Sequence, residues 1–409
     1  MSKPGQYHNV VTQWNYAAPV SPSVGRAEEL GWVIDAEFPG GNILIDSISE
    51  TTAYLRPDLR DTSSDWFYWY FRVTGAAGKT LTFVFNPAHV GVRGPAISQD
   101  AGASWNWLGA EFVHEGEFSY SFGARDAEVR FSVGMPYVRS NWDQFLSDHR
   151  ESPFLKRLTL THTTAGREVS AISVSDHTAR APIAFAITGR HHACEMMGSY
   201  AIEGLIAEAA SSSGPGEWLR RNIEFLIVPF MDTDGVEQGD QGKNRRPHDH
   251  NRDYAGFPIY QEVRAWKEFL PAWSADRPLL ALDIHDPALS GPVHESIFFI
   301  EPEDRILAGI LDELIGCLLR TQRGTILVQT PAKLAFGSGF NSGSMGGNST
   351  ATSWTNSLPN TIFAASLEVA YAEAMGCEVN ADSARELGRD LAVALRDWLP
   401  RITPKLTLL

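Results

Sequence analysis

At 409 residues the chain is long enough for two cores, and its 43% hydrophobic and 20% charged content exclude a disordered protein. A net charge of −15 excludes nucleic acid and anionic membrane as general partners, because both are polyanions. Three cysteines, Cys194, Cys317 and Cys377, stand at neither disulfide-framework nor zinc-finger spacing, which fits a reducing compartment. With no leader-like N-terminus and no run of about 18 apolar residues, the chain is read as cytoplasmic.

From about Gly31 to Tyr137 short, aromatic-rich, alternating stretches are separated by Gly, Pro, Asp and Asn. This pattern predicts an all-β sandwich, assigned to residues 1–150. Trp66 to Val73 and Leu81 to Phe85, joined across Gly75 to Lys79, predict a hairpin. The aromatic side chains are read as core filling rather than as a carbohydrate platform. A short helix or linker over Asn141 to His149 leads into a second domain, residues 151–409.

The second domain opens with a hairpin, Leu158 to Thr164 and Glu168 to Val174, and then alternates. Buried strands are predicted at Ile183 to Ile187, Ile223 to Pro229, Leu279 to Ile284, Ser296 to Ile300 and Thr361 to Val369. Helices are predicted from Glu195, over Tyr260 to Phe269, over Arg305 to Leu319 and over Ser383 to Leu399. Ser211 to Gly216 and Met231 to Tyr254 read as loops, and Phe336 to Leu358 as a long functional loop. The alternation implies an α/β sheet covered on both faces.

In such a sheet, ligands gather outside the carboxyl ends of the strands. The strand ending at Ile187 delivers His192 and Glu195, the strand ending at Ile284 delivers His285, and the strand ending near Leu367 delivers Glu368. Two histidines and a carboxylate form a zinc set that leaves a fourth position for water. His191 competes for the ligand role, but the three-residue spacing to Glu195 favours His192. Glu368 is the candidate base, and Asp283 or Asp286 the candidate to orient His285. The segment Asp234 to Tyr254 concentrates Lys243, Arg245, Arg246 and Arg252 in an acidic protein, suited to gripping a carboxylate or an oxyanion. Its Asp232-Thr233-Asp234-Gly235 start has the glycine at the wrong place for a calcium loop.

His-x-x-Glu at His192 to Glu195, Asp-Gly-Val-x-x-Gly at Asp234 to Gly239, Asn251-Arg252, Asp283-x-His285 and Leu367-Glu368 occur in the order found in zinc metallocarboxypeptidases. Phe38-Pro39-Gly40-Gly41-Asn42, Trp66 to Val73 and Met135-Pro136-Tyr137 resemble the sandwich preceding the catalytic domain in cytosolic carboxypeptidases. The resemblance implies an α/β fold with a mixed sheet flanked by helices, preceded by an all-β sandwich. It implies one Zn2+ per chain on His192, Glu195 and His285, with Glu368 as base and proton shuttle. It assigns the substrate's terminal carboxylate to Asn251 and Arg252. The arginine that polarises the carbonyl in the family is expected where this chain has Gly242; Arg245, Arg246 or Lys243 must substitute, and Arg245 is favoured. No tyrosine lies between Phe336 and Leu367 to close over substrate, leaving Trp354, a more distant residue or no counterpart at all, and Cys194 replaces an arginine of digestive-type members. The expected activity is hydrolysis of a C-terminal peptide or isopeptide-like amide bond, with a peptide or protein C-terminus as partner. A zinc deacylase on N-acyl amino acids and a non-catalytic binding protein are the alternatives.

Overall fold

The structure is a computed structural model describing residues 25–27, 31–291, 293–342 and 349–406. Residues 1–24, over which no leader was expected, and the 343–348 portion of the expected functional loop lie outside the described residues.

The N-terminal region folds into two facing sheets. One contains the strands Trp32–Asp35, Tyr70–Thr74 and Glu128–Ser132; the other contains Leu44–Ile48, Thr52–Arg56, Thr80–Phe85 and Glu117–Ser121. Alternation sends Phe71, Phe83, Phe118 and Phe131 inward, each buried, and Trp69 stacks on Phe85 with ring centroids 4.4 Å apart. The aromatics are therefore core, as predicted. The predicted hairpin is corrected: Tyr70–Thr74 and Thr80–Phe85 belong to opposite sheets, and the turn between them is a corner of the sandwich. Phe71 and Phe83 meet across the core with ring centroids 5.4 Å apart and planes tilted by 52°, instead of pairing along a ladder.

The second region is built on an eight-stranded mixed sheet. Its order is Leu155–His162, Glu168–Val174, Ile223–Val228, Ile183–Gly189, Leu279–His285, Thr361–Glu368, Phe298–Ile300 and Lys333–Leu334. The strands Ile223–Val228, Ile183–Gly189, Leu279–His285 and Thr361–Glu368 run parallel, so their carboxyl ends share one edge. These strands are apolar on both faces because both are covered. Ala184, Ala186, Leu226 and Val228 face the helix Gln261–Ser274, whereas Phe185, Ile187, Phe225 and Ile227 face the layer of Met197–Ala209, Arg305–Thr321 and Ala381–Leu406. That second core continues without a break into the sandwich.

Three short helices fall wholly or partly in stretches expected to be loops, Gly214–Asn222, Thr233–Gln238 and Ala351–Asn356. Gly214–Asn222 starts at Ser213, whose hydroxyl accepts from Gly216 N–H, and carries Pro215 in its first turn. Thr233–Gln238 starts at Asp232, which accepts from Gly235 N–H, and stops at Gly239 in the left-handed region, φ 73°. Among the described residues, no helix is long and apolar enough to cross a membrane.

Candidate metal centre and active site

The parallel edge brings the sequence-predicted groups together. One ligand atom each of His192, Glu195 and His285 lies within 4.8 Å of the others, all three residues being buried. Glu195 stands between the rings, Oε1 2.8 Å from His192 Nδ1 and Oε2 2.7 Å from His285 Nδ1. The Nδ1 atoms thus face inward, and each Nε2 is held from behind: His192 by Asp249 Oδ1 at 3.0 Å, His285 by Asp283 Oδ2 at 2.7 Å. A carboxylate stands behind each Nε2 to accept its proton, which would leave Nδ1 as the ring atom turned toward a divalent cation. This donor set, two imidazoles and one carboxylate with a supporting acid behind each ring, fits zinc.

Between the two candidates for orienting His285, the geometry selects Asp283, whose other oxygen accepts from Thr188 Oγ1 at 2.7 Å. Asp286 instead caps a helix, accepting from Met197 N–H and Gly198 N–H at 2.6 and 2.8 Å. Asp249 was not anticipated; its signal was its place two residues before Asn251, where the chain turns back under the cluster. His191 is not part of the donor set. It is fully buried beneath it, Nδ1 3.1 Å from His250 Nδ1 and Nε2 3.3 Å from the Tyr254 hydroxyl, and burial lowers its pKa to about 3. The turn that aims His192 is shaped by Arg190, itself at φ 57°, whose guanidinium donates to Tyr137 O and Ser199 Oγ and grips Ala193 O. Sequence reasoning passed over that arginine because it looks like any strand-end cation.

Glu368 is the rung of its strand that pairs with His285 in parallel register. It is buried and its Oε2 has no hydrogen-bond partner. Burial, with help from the Glu195 carboxylate, raises its pKa against the opposing pull of Lys243, His285 and His192. Lys243 reaches the same space: its ammonium contacts Glu195 Oε1 and lies 5.5 Å from the centroid of the Trp66 ring. Burial alone would lower the Lys243 pKa, but Glu195 and Glu368 outweigh it and keep the ammonium charged.

Arg245 is placed elsewhere, and the expectation that it polarises the carbonyl does not fit this geometry. Its buried guanidinium is engaged by Asp232 at 2.7 Å, Asp240 at 3.0 Å and Asp61 at 3.5 Å. A nearby trio of close donors, Asp232, His250 and Glu262, shares that aspartate with Arg245, which already supplies the cation. The Asn251 amide is committed internally, Nδ2 3.1 Å from His285 Nε2 and Oδ1 accepting from Ala351 N–H at 2.9 Å. Arg252 is half-buried beside it, and Arg246 is exposed, its N–H donating to Asp61 O at 2.9 Å. Trp354 packs against Tyr254, rings 5.5 Å apart, as part of the helix-side core. Tyr371 is buried and donates to Cys194 O at 3.2 Å, while burial, reinforced by Glu195, pushes the Cys194 thiol up to about 12, as befits a structural cysteine.

Residues 143–278 match the family model described as zinc carboxypeptidase. In sequence the chain is similar to cytosolic carboxypeptidase 6 of Caenorhabditis elegans, 25% identical over 56% of this chain and 56% of that protein. It is also similar to cytosolic carboxypeptidase 3 of Bos taurus, 25% identical over 55% of this chain and 26% of that protein. The match therefore spans about half, or a quarter, of the length of these relatives. In fold it resembles the metallo-carboxypeptidase of Burkholderia cenocepacia, with a TM-score of 0.74 at 18% identity over 91% of this chain and 100% of that one. The metallo-carboxypeptidase of Pseudomonas aeruginosa in complex with (2-guanidinoethylmercapto)succinic acid gives the same TM-score, 0.74, at 19% identity over 90% of this chain and 99% of that one. Behind its aromatic sandwich, over residues 143–278, the chain is similar to the zinc carboxypeptidase family.

Proposed function

We propose that the chain is a zinc-dependent carboxypeptidase that hydrolyses the C-terminal amide bond of a peptide or protein, its sandwich (1–150) and catalytic domain (151–409) acting as one unit. The observation that carries this reading is a single edge holding three inward-facing donors, each imidazole backed by a carboxylate, beside a buried Glu368 with a free oxygen. His192, Glu195 and His285 would hold one zinc ion, which when bound would supply Lewis acidity toward the scissile carbonyl and a water. Glu368, its pKa raised by burial, takes the proton of that water and returns it to the departing amine. The Lys243 ammonium faces the negative charge that develops on the carbonyl oxygen, the role the sequence assigned to Arg245. Arg252 receives the substrate's terminal carboxylate, with Asn251 holding Asp283 and His285 in place beside it and Arg246 at the rim. Relatives named cytosolic carboxypeptidases support a cytoplasmic setting for this chemistry.

The test is Glu368→Gln on N-benzoyl dipeptides with a free C-terminus. It is expected to retain one zinc per chain while losing about 10²–10⁴-fold in kcat. Full activity in that variant would refute the assignment of the base. Equal turnover of free and amidated peptides would turn the reading toward an amidase, and absence of stoichiometric zinc toward a binding protein.

A further inference from the structure

The loop that carries Lys243 is held from outside the catalytic sheet. Residues 57–69 connect the strands Thr52–Arg56 and Tyr70–Thr74, passing from one sheet of the sandwich to the other, and on the way lie along residues 238–246. Asp61 is the centre of that contact. Its Oδ1 accepts from Gln241 N–H at 3.1 Å and its Oδ2 from Gly242 N–H at 2.8 Å, so one carboxylate spans two consecutive amides. The loop offers it a small backbone nest for an anion. Its main-chain oxygen accepts from Arg246 N–H at 2.9 Å, closing the same loop on the other side of Lys243.

Neighbouring contacts leave the loop little freedom. The buried Gln241 side chain donates to Tyr68 O at 2.8 Å and Asp58 O at 3.2 Å and accepts from Tyr68 N–H at 2.9 Å. Ser63 N–H donates to Asn244 O at 3.1 Å, and the Asn244 amide to Ser64 Oγ at 2.8 Å. From the opposite side Cys194 N–H donates to Gln241 O at 3.1 Å, tying the loop to the turn that bears His192 and Glu195. Gly242 sits so close to that turn that a Cβ on it would lie 2.2 Å from Ala193 N. Lys243 follows immediately, with Trp66 of the same sandwich segment beside its ammonium.

We propose that Asp61 is a positioning residue for hydrolysis: by accepting the Gln241 and Gly242 amides it fixes the loop that aims the Lys243 ammonium at the reacting carbonyl. This rests on the role given to Lys243 above. The sandwich thereby contributes to the chemistry without touching substrate, and its removal would disable the loop as well as uncover the core.

Asp61→Ala, Asp61→Asn, Lys243→Met and the double variant Asp61→Ala/Lys243→Met are compared in the full chain, each loaded with one zinc, on N-benzoyl dipeptides. Misplacing a catalytic group by about 1 Å costs up to roughly 10²-fold. Asp61→Ala is therefore expected to lose about 10- to 100-fold in kcat with KM within about twofold, and Asp61→Asn, which keeps one acceptor oxygen, to fall between it and the parent. The double variant should match Lys243→Met alone, since a lysine that is absent cannot be misplaced. Independently of turnover, amide hydrogen exchange at Gln241 and Gly242 should accelerate in Asp61→Ala. If Asp61→Ala cannot be isolated folded, Asp61→Asn carries the same comparison. Parental kcat in the Asp61 variants beside an impaired Lys243→Met overturns the positioning role and leaves Lys243 standing; parental kcat in Lys243→Met removes both. A double variant weaker than Lys243→Met by the full Asp61→Ala factor also overturns it, because Asp61 would then act by general destabilisation.

Discussion

Truncating Asp249 isolates the support behind the proposed ligand His192 from the ligand itself. Its carboxylate accepts three bonds: His192 Nε2 at 3.0 Å, Asn251 N–H at 2.8 Å and Asn244 N–H at 3.0 Å. The first sets the tautomer that leaves His192 Nδ1 free to donate; the others hold the ends of the turn. In Asp249→Ala the imidazole keeps its place but loses its fixed proton, and loss of such an outer partner costs about 10- to 100-fold in metal affinity, or about 1.4–2.8 kcal/mol. Asp249→Asn retains an oxygen that accepts from Nε2 and forfeits only the charge, so it should fall between Asp249→Ala and the parent. The measurement is zinc affinity of the metal-free protein, by competition with a coloured chelator at fixed pH, alongside thermal unfolding of the same samples. A dissociation constant for Asp249→Ala within twofold of the parent, with unchanged metal-free stability, would refute the claim that this carboxylate prepares His192.

Asp240 provides a pH test remote from the metal ligands. Burial, with Asp61 and Asp232 close by, pushes its pKa up to about 7 despite Arg245 and Arg60. A carboxyl whose folded pKa exceeds its unfolded value binds its proton more tightly in the fold. Its contribution is fully present below about pH 4 and is lost as pH rises toward and through about 7. Relative to the parent, Asp240→Asn should therefore gain stability across that window, by an amount on the order of a few kcal/mol in urea unfolding; a pH-independent difference would contradict it. Gly242→Ala should cost about 2–5 kcal/mol, because φ of 77° strains any side chain and the added Cβ would overlap Ala193 N. Gly78→Ala shares a positive φ of 74° but meets nothing within 4 Å, and should cost about 1 kcal/mol. Equal losses at the two glycines would mean that the close approach at Gly242 is not enforced.

The clustering of His192, Glu195 and His285 beside Glu368 was legible because each follows a continuous apolar run, and such runs announce strands buried on both faces. The three-residue step from His192 to Glu195 then did the rest. What stayed hidden depends on contacts between distant segments. Four cations crowd residues 243–252, and nothing local distinguishes Lys243, which reaches Glu195, from Arg245, which is taken by Asp61, Asp232 and Asp240 from separate stretches. The false hairpin has the same origin, since two alternating strands joined by a glycine turn read alike whether they pair side by side or face each other across a core. The Gly214–Asn222 helix is different: Ser213, Pro215 and Glu217 were visible start signals, outweighed by the loop-like run of Ser and Gly around them.

The adjacency of His285 and Glu368 as paired rungs has a consequence for how such a site can change. Neighbouring strands are separated by about 4.8 Å through their main-chain ladder, whatever side chains the surrounding loops carry. The spacing between the proposed donor His285 and the proposed base Glu368 is thus a property of the sheet, while residues 336–342 lie outside its ladder. Exchanging that segment for one of another composition should leave this spacing unchanged, which makes the edge a natural chassis for grafted specificity.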